Sequence, residues 1–197
     1  MFDTLKKRFP GLYDFYQHTQ RMKILKKIKK MENVPEDKYA ELIENEYLKV
    51  LGHSLNWDNL QTYTEKMQWE KIYDKNPMKT VLADKYRVRE WIENKIGNDY
   101  LIPLIGVWDS FDDIDFNSLP DQFVLKTNHG TGTNLIVKDK EKLNIKRTKR
   151  MFDDWMKIDY AFTNSLQLHY RKIPRKIIAE KSVSYTHLRA HETDQYL

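Results

Sequence analysis

Within FVLKTNHGTGTNLIVK, Phe123 to Lys138, the chain places an ammonium, an amide, an imidazole, hydroxyls and two of its six glycines. Apolar triplets, Phe123-Val124-Leu125 and Leu135-Ile136-Val137, flank the polar residues and predict two strands joined by a short loop. Backbone N–H groups in such a loop can converge on one concavity, which is a cradle for a phosphate. Gly130 and Gly132 would let the backbone approach a phosphate oxygen and would permit positive φ. Lys126, alternating with buried neighbours along its strand, sets a positive charge beside the loop, while Asn128, His129 and Thr131 add hydrogen-bonding groups. A strand rather than a helix follows, so this is neither a Walker loop nor the GxGxxG turn of a dinucleotide fold. An ordinary hairpin turn uses the same residue types. The residues alone leave both readings open.

Other candidates for chemistry are weaker. Lys85 and Arg89, in DKYRVRE, are spaced to share a helical face, where they could bind phosphate, pair with Glu93 or face solvent. Asp112, Asp113 and Asp115 lack the fixed glycine and terminal glutamate of a calcium loop, and the expectation is a solvated turn. His18, His53 and His169 have no spaced partner. His187 and His191 stand four apart without the glutamate or third ligand of a zinc helix, so no metal site is expected. The five tryptophans, in apolar-periodic segments, read as core and interface residues rather than a sugar-stacking platform.

The elements that must position these groups change character near residue 100. Before it the signals are helical. Residues 1–33 form a basic segment in which TQRMKILKKIKKM sets Met22, Leu25 and Ile28, with Ile24 and Met31, against lysines: an amphipathic cationic helix that could lie on anionic lipid or pack on a neighbour. Residues 34–99 form a helical region. Tyr39, Leu42, Ile43, Tyr47 and Val50 have helical spacing before Gly52, Thr62 and Glu65 make a capping-box pattern, and a helix is expected from about Leu82 to Ile96, with Gly97 as its stop. From 100 to 181 the runs LIPLIGVW, QFVLKT, NLIVK and RKIIAEK read as strands, separated by the acidic link DSFDDIDFNSLPD and a helix near 142–159. The fold class is α+β: a helical N-terminal region followed by a small mixed or antiparallel sheet lobe.

Composition sets outer bounds. With 40% hydrophobic and 32% charged residues over 197 positions, the chain can bury a core and keep a solvated exterior. It has no cysteine, which excludes a disulfide scaffold or thiolate metal site and fits a reducing cytoplasm. No apolar run is long enough to cross a bilayer. Of the net charge of +5, residues 1–31 carry +7, so the remainder is −2. Nucleic acid is therefore not an expected partner of the main body.

The runs LNWDNLQTYTEKMQWEKIYDKNP, LADKYRVREWI, YLIPLIGVWDSFDDIDFNSLPDQFVLKTNHGTGTNLIVKDK and IPRKIIAEK, in order from Leu55 to Lys181, resemble the teichuronopeptide biosynthesis TupA-like ATP-grasp family, whose members are often labelled glycosyltransferases. The resemblance implies ATP and Mg²⁺ as cofactors, with the nucleotide between two α+β lobes. It implies that Lys126 contacts the ATP phosphates or the N7 side of adenine, and that the loop of Asn128, His129, Gly130, Thr131 and Gly132 closes over the phosphates. Glu180 and Lys181 would be the hinge that meets the adenine edge, and Arg89 a second phosphate-binding cation. The implied chemistry is carboxylate activation by ATP and ligation to an amine, with a small-molecule or glycan acceptor, in cell-surface polysaccharide assembly in the cytoplasm. Two rivals stand beside it: a glycosyltransferase, and a non-enzymatic protein that acts through residues 20–31 at a membrane surface or partner.

The resemblance also implies that the C-terminal lobe is incomplete, because the family's Mg²⁺ ligands follow the hinge strand and are expected beyond Lys181. Residues 182–197 have no counterpart in the pattern, and VSYTHLRAHET resembles a translated sequencing-library adapter. Such a segment is set apart from fold reasoning. Without later neighbours the strand at Arg175–Lys181 is expected to form an unpaired edge with part of an apolar face uncovered, leaving the fragment inactive and prone to aggregate.

Overall fold

The computed structural model describes residues 8–163 and 166–183. The segment set apart at 182–197, including His187 and His191, lies outside the described residues from 184 onward. The described chain forms two compact units. The first takes in the chain through Ala83 and the return segment Lys157–Ile173; the second takes in Asp84–Met156 and the chain from Pro174.

The first unit is helical, with α1 (Pro10–Glu32), α2 (Tyr39–Leu51), α3 (Tyr63–Tyr73) and α4 (Met78–Ala83). Two of its boundaries follow directly from local chemistry. Gly52 ends α2 in the left-handed region at φ 78°, a conformation glycine adopts without a Cβ penalty. Thr62 opens α3 with both halves of the capping box, its hydroxyl accepting from Glu65 N and the Glu65 carboxylate accepting from Thr62 N. The core gathers Ile28, Tyr39, Ile43 and Tyr47 with Tyr160, Ala161 and Phe162 of the return segment, all buried. The Tyr39 and Phe162 rings meet edge-on at 6.4 Å, and the Arg171 guanidinium lies 5.2 Å from the Phe162 centroid. The apolar set of the basic segment is divided: Ile28 is buried and Leu25 and Met31 half-buried, whereas Met22 and Ile24 are exposed.

The second unit holds the sheet. β1 (Leu104–Trp108), β2 (Phe123–Thr127), β3 (Asn134–Val137) and β4 (Ile177–Lys181) lie in the order β1-β4-β2-β3, every pair antiparallel. The strand expected at an unpaired edge is in fact interior, because β4 bonds to β1 on one side and β2 on the other. Its residues Ile177 to Glu180 are buried, as a four-residue run bounded on both ladders must be.

One face of the sheet carries Phe123, Leu125, Val137, Ile177 and Ala179, covered by Phe152 of α6 (Ile145–Lys157) and by Phe111, Ile114 and Leu119. The acidic link 109–121 is thus a core element as well as a solvated turn. Ser110 and Asp113 cap a short 3-10 turn that seats Phe111, while the acidic side chains stay outside. The opposite face carries Val124, Lys126, Ile178 and Glu180, set there by strand alternation and register. On β1, a Cβ at Gly106 would collide with the Trp108 indole, so that position has no room for a side chain.

The helix expected over Leu82–Ile96 is broken. α4 stops at Ala83 and α5 (Val88–Ile96) starts after a turn. The Asp84 carboxylate makes that break: its Oδ1 accepts from Tyr86 N at 2.9 Å and Arg87 N at 3.2 Å, and the Asp84 carbonyl accepts from Val88 N. Lys85 therefore sits in the turn, off the helical face it was expected to share with Arg89.

Candidate functional site

β2 and β3 are joined by residues 128–133, and the base of this loop is latched by Thr127 N donating to Thr133 O at 3.0 Å and by the two hydroxyls 2.6 Å apart. Both threonines are buried. Above the latch, Asn128 is fully buried and is the loop's anchor. Its amide donates to Asp84 Oδ1 and to Pro174 O, both at 2.8 Å, and its amide oxygen accepts from Lys176 N at 2.7 Å. Its backbone N–H donates to Lys176 O and its carbonyl accepts from Lys85 N, each at 3.0 Å. One side chain thus ties the loop to the turn before α5 and to the approach of β4. Its polar groups are used structurally, so Asn128 holds the loop's shape rather than offering a group to a ligand.

His129 is also buried, directly after Asn128. Gly130 is buried and its carbonyl accepts from the Lys85 ammonium. Of the two glycines only Gly132 takes a positive φ, 69°; Thr131 between them is exposed. The Gly130 N–H closes the turn at Asn128 and His129, whereas the N–H groups of Thr131 and Gly132 have no hydrogen-bond partner among the described residues. Two successive donors in a glycine loop beside a lysine are the makings of an anion nest.

The cations converge on the same face. Lys126 Nζ lies 2.6 Å from Glu180 Oε2, and Arg89 Nη1 lies 3.3 Å from Glu180 Oε1. Arg89 Nη2 also donates to Ile102 O at 2.7 Å. Glu180 is buried, so its carboxylate, bracketed by two cations, fixes where both point. Lys85 is the third cation. Burial, with the nearby Lys126 ammonium, pushes its pKa down to about 8, against the upward pull of Asp84 and Glu180. Arg89, expected to pair with Glu93 if it did not meet phosphate, is held instead by Glu180. Lys181 does not join the group. It pairs with Phe123 across the sheet, so its side chain leaves on the core face, and its N–H donates to Pro103 O at 2.9 Å.

Of the sequence-derived residues, the structure brings together Lys126, Arg89, Glu180 and the loop 128–132, and leaves Lys181 outside. It brings in Lys85, read from the sequence as a weaker candidate, and adds Asp84 as a support that the sequence reading did not single out. The signal for Asp84 was present: an aspartate two and three residues before unpaired amides of a helix start is a capping residue. Asp84 is almost completely buried, and its Oδ2 takes no hydrogen bond among the described residues. The tryptophans are less buried than expected. Trp69 and Trp91 are exposed, and Trp57 and Trp69 line a cavity of about 350 Å³ with Asp58, Leu60, Lys66 and Glu70.

Three cations, one counter-carboxylate and a glycine loop lie on one small antiparallel sheet and its flanking turn. The molecule is thus an α+β protein with a basic glycine hairpin. The family model described as TupA-like ATPgrasp matches residues 65–193, and the chain belongs to the TupA-like ATP-grasp family. No curated protein and no solved structure matches it.

ATP-grasp proteins as a family use ATP and Mg²⁺. The hairpin fits the phosphates of the nucleotide, on the open N–H groups and the lysines beside them. Among the described residues no three His, Cys, Asp or Glu side chains gather to hold a metal ion.

Proposed function

We propose that the chain binds ATP through this hairpin, as part of an enzyme that activates a carboxylate and joins it to an amine. The observation that carries the reading is a glycine loop with open N–H groups that Lys85 touches at Gly130, on the sheet face where Lys126 and Arg89 meet at Glu180. The triphosphate would lie along Gly130 to Gly132, with Lys126 and Lys85 beside its oxygens. Glu180 enters as the counter-ion that aims Lys126 and Arg89, and Asn128 and Asp84 as the struts behind them. Such preorganised positive charge matters most where phosphoryl charge shifts during transfer.

In the proposed reaction a carboxylate oxygen of the substrate attacks the γ-phosphorus, the bond to the β-phosphate oxygen breaks, and ADP leaves. The amine nitrogen then attacks the acyl carbon, inorganic phosphate departs, and the amine gives up a proton. The acceptor is a small molecule or glycan bearing an amine, in cell-surface polysaccharide or teichuronopeptide assembly in the cytoplasm. Family membership supports the reaction type, and the acceptor follows by analogy alone.

The test is ligand-dependent melting of the purified chain with millimolar ATP, with and without Mg²⁺. Stabilisation of about 2.7 kcal/mol is expected at a hundred times the dissociation constant. Lys126→Ala, which removes a charge-assisted contact worth about 1.5–3 kcal/mol, should weaken binding roughly ten- to a hundredfold. Equal melting with and without ATP in the intact protein would overturn the reading.

A further inference from the structure

Helix α1 is inside out along its first half. The residues it partly buries against the first unit are Tyr13, Asp14, Gln17, Gln20 and Arg21 in its first half, polar but for Tyr13, followed by Leu25, Ile28 and Met31. Exposed positions on the other side are Leu12, Phe15, Met22, Lys23, Lys26 and Lys30. Leu12 is 57% exposed, Phe15 65% and Met22 48%, with Phe9 at 54% just before the helix. A soluble helix ordinarily shows the reverse pattern, with its apolar stripe inward. Apolar residues of this size on one stripe are the kind of exposed patch that marks a contact surface.

The charge along the same stripe says what it contacts. Lys23, Lys26, Lys27, Lys29 and Lys30 are all exposed and crowd the second half of the helix, which has no acidic side chain from Asp14 until Glu32. An apolar, aromatic half continued by a lysine half is complementary to a lipid surface of negative charge. Phenyl and aliphatic side chains enter the headgroup boundary, and ammonium groups stay among the phosphates. A soluble acidic partner would leave the apolar half unexplained. No helix among the described residues is long and apolar enough to cross a membrane, so the contact is one of lying on the surface.

We propose that the outward stripe of α1, Phe9 through Lys30, docks the protein on an anionic bilayer, with Leu12, Phe15 and Met22 as the inserted anchors. This differs from a contact through the apolar side of residues 20–31, since Ile28 and Leu25 of that side face the protein. It does not depend on nucleotide binding.

The test is co-sedimentation of the full chain with vesicles of phosphatidylcholine alone and with 30% phosphatidylglycerol, in roughly 0.05 and 0.5 M salt. Binding to the anionic vesicles is expected, with at least tenfold weaker binding to the neutral ones and a marked loss at high salt. Phe15→Glu together with Leu12→Glu should abolish it while the thermal melt is preserved, because both sites are exposed. A quadruple change of Lys23, Lys26, Lys27 and Lys30 to Gln should abolish the preference for anionic lipid. Failure to sediment with anionic vesicles, or binding indifferent to Phe15→Glu and Leu12→Glu, overturns the proposal. So does a concentration-dependent dimer, without lipid, that the same double variant dissolves: the stripe would then be covered by a second copy.

Discussion

Lys85 holds the most consequential proton in the site. Its folded pKa of about 8 lies below the value of an unfolded lysine, 10.5, so the native state gives up its proton first. Between pH 8 and 10.5 the unfolded chain binds more protons than the folded one, and stability contributed by this group rises with pH across that window. Binding of an anion has the opposite sign, because a phosphate beside Lys85 restores the charged form. Proton uptake should therefore accompany ATP binding at pH 8.5, and affinity should fall as pH climbs above 8. Calorimetry in two buffers of different ionisation enthalpy reads the uptake, and Lys85→Met should remove it. Asn128 is the residue of the site that makes the most structural hydrogen bonds. Its replacement by alanine removes one buried hydrogen bond, to Asp84, and two part-buried ones, to Lys176 N and Pro174 O, each worth about 0.5–1.5 kcal/mol and more where the acceptor is charged. Asn128→Ala should lower stability by roughly 2–4 kcal/mol in chemical denaturation. It should also weaken ATP binding without removing any charge.

At the scale of elements, the sheet is specified by a close approach as much as by apolar patterning. β1 carries a register shift between Leu104 and Gly106, and the Trp108 indole lies over Gly106. Gly106→Ala forces the ring or the strand to move, and overpacking of this kind costs about 1–3 kcal/mol. A melt lowered by several degrees, with near-ultraviolet circular dichroism changed at the tryptophan bands, is the expected outcome. The elements themselves were largely legible because their signals are local. Thr62 and Glu65 announce α3, Gly52 closes α2, and the runs around Phe123, Leu135 and Ile177 alternate or bury as strands do. The break at Asp84 was misread as continuous helix because Leu82 to Ile96 keeps a helical apolar period, and one buried carboxylate overrides it.

What the sequence withheld lies at the scale of the whole molecule, where partners are distant along the chain. Lys126 and the glycine loop were visible as a candidate site, whereas the ties from Asn128 to Asp84 and Lys176 join residues 44 and 48 positions apart that no local pattern connects. The inverted face of α1 was hidden for a similar reason. Met22, Leu25 and Ile28 look like one apolar stripe until packing turns Ile28 inward and Met22 outward. Strand order was the other blind spot: RKIIAEK reads as one more strand, and nothing in its own residues says whether it closes the sheet or fills its middle.

Filling the middle has a consequence for how the protein comes into being. The strand that joins β1 to β2 is the last of the four to be synthesised, about 70 residues after the first. During translation β1 has no neighbour, and the β2–β3 hairpin stands apart until Lys181 clears the ribosome. Loop closure over such separations slows folding. The nascent chain therefore passes through an interval in which the lysine of its hairpin is already synthesised while Glu180, the charge meant to balance it, has yet to arrive.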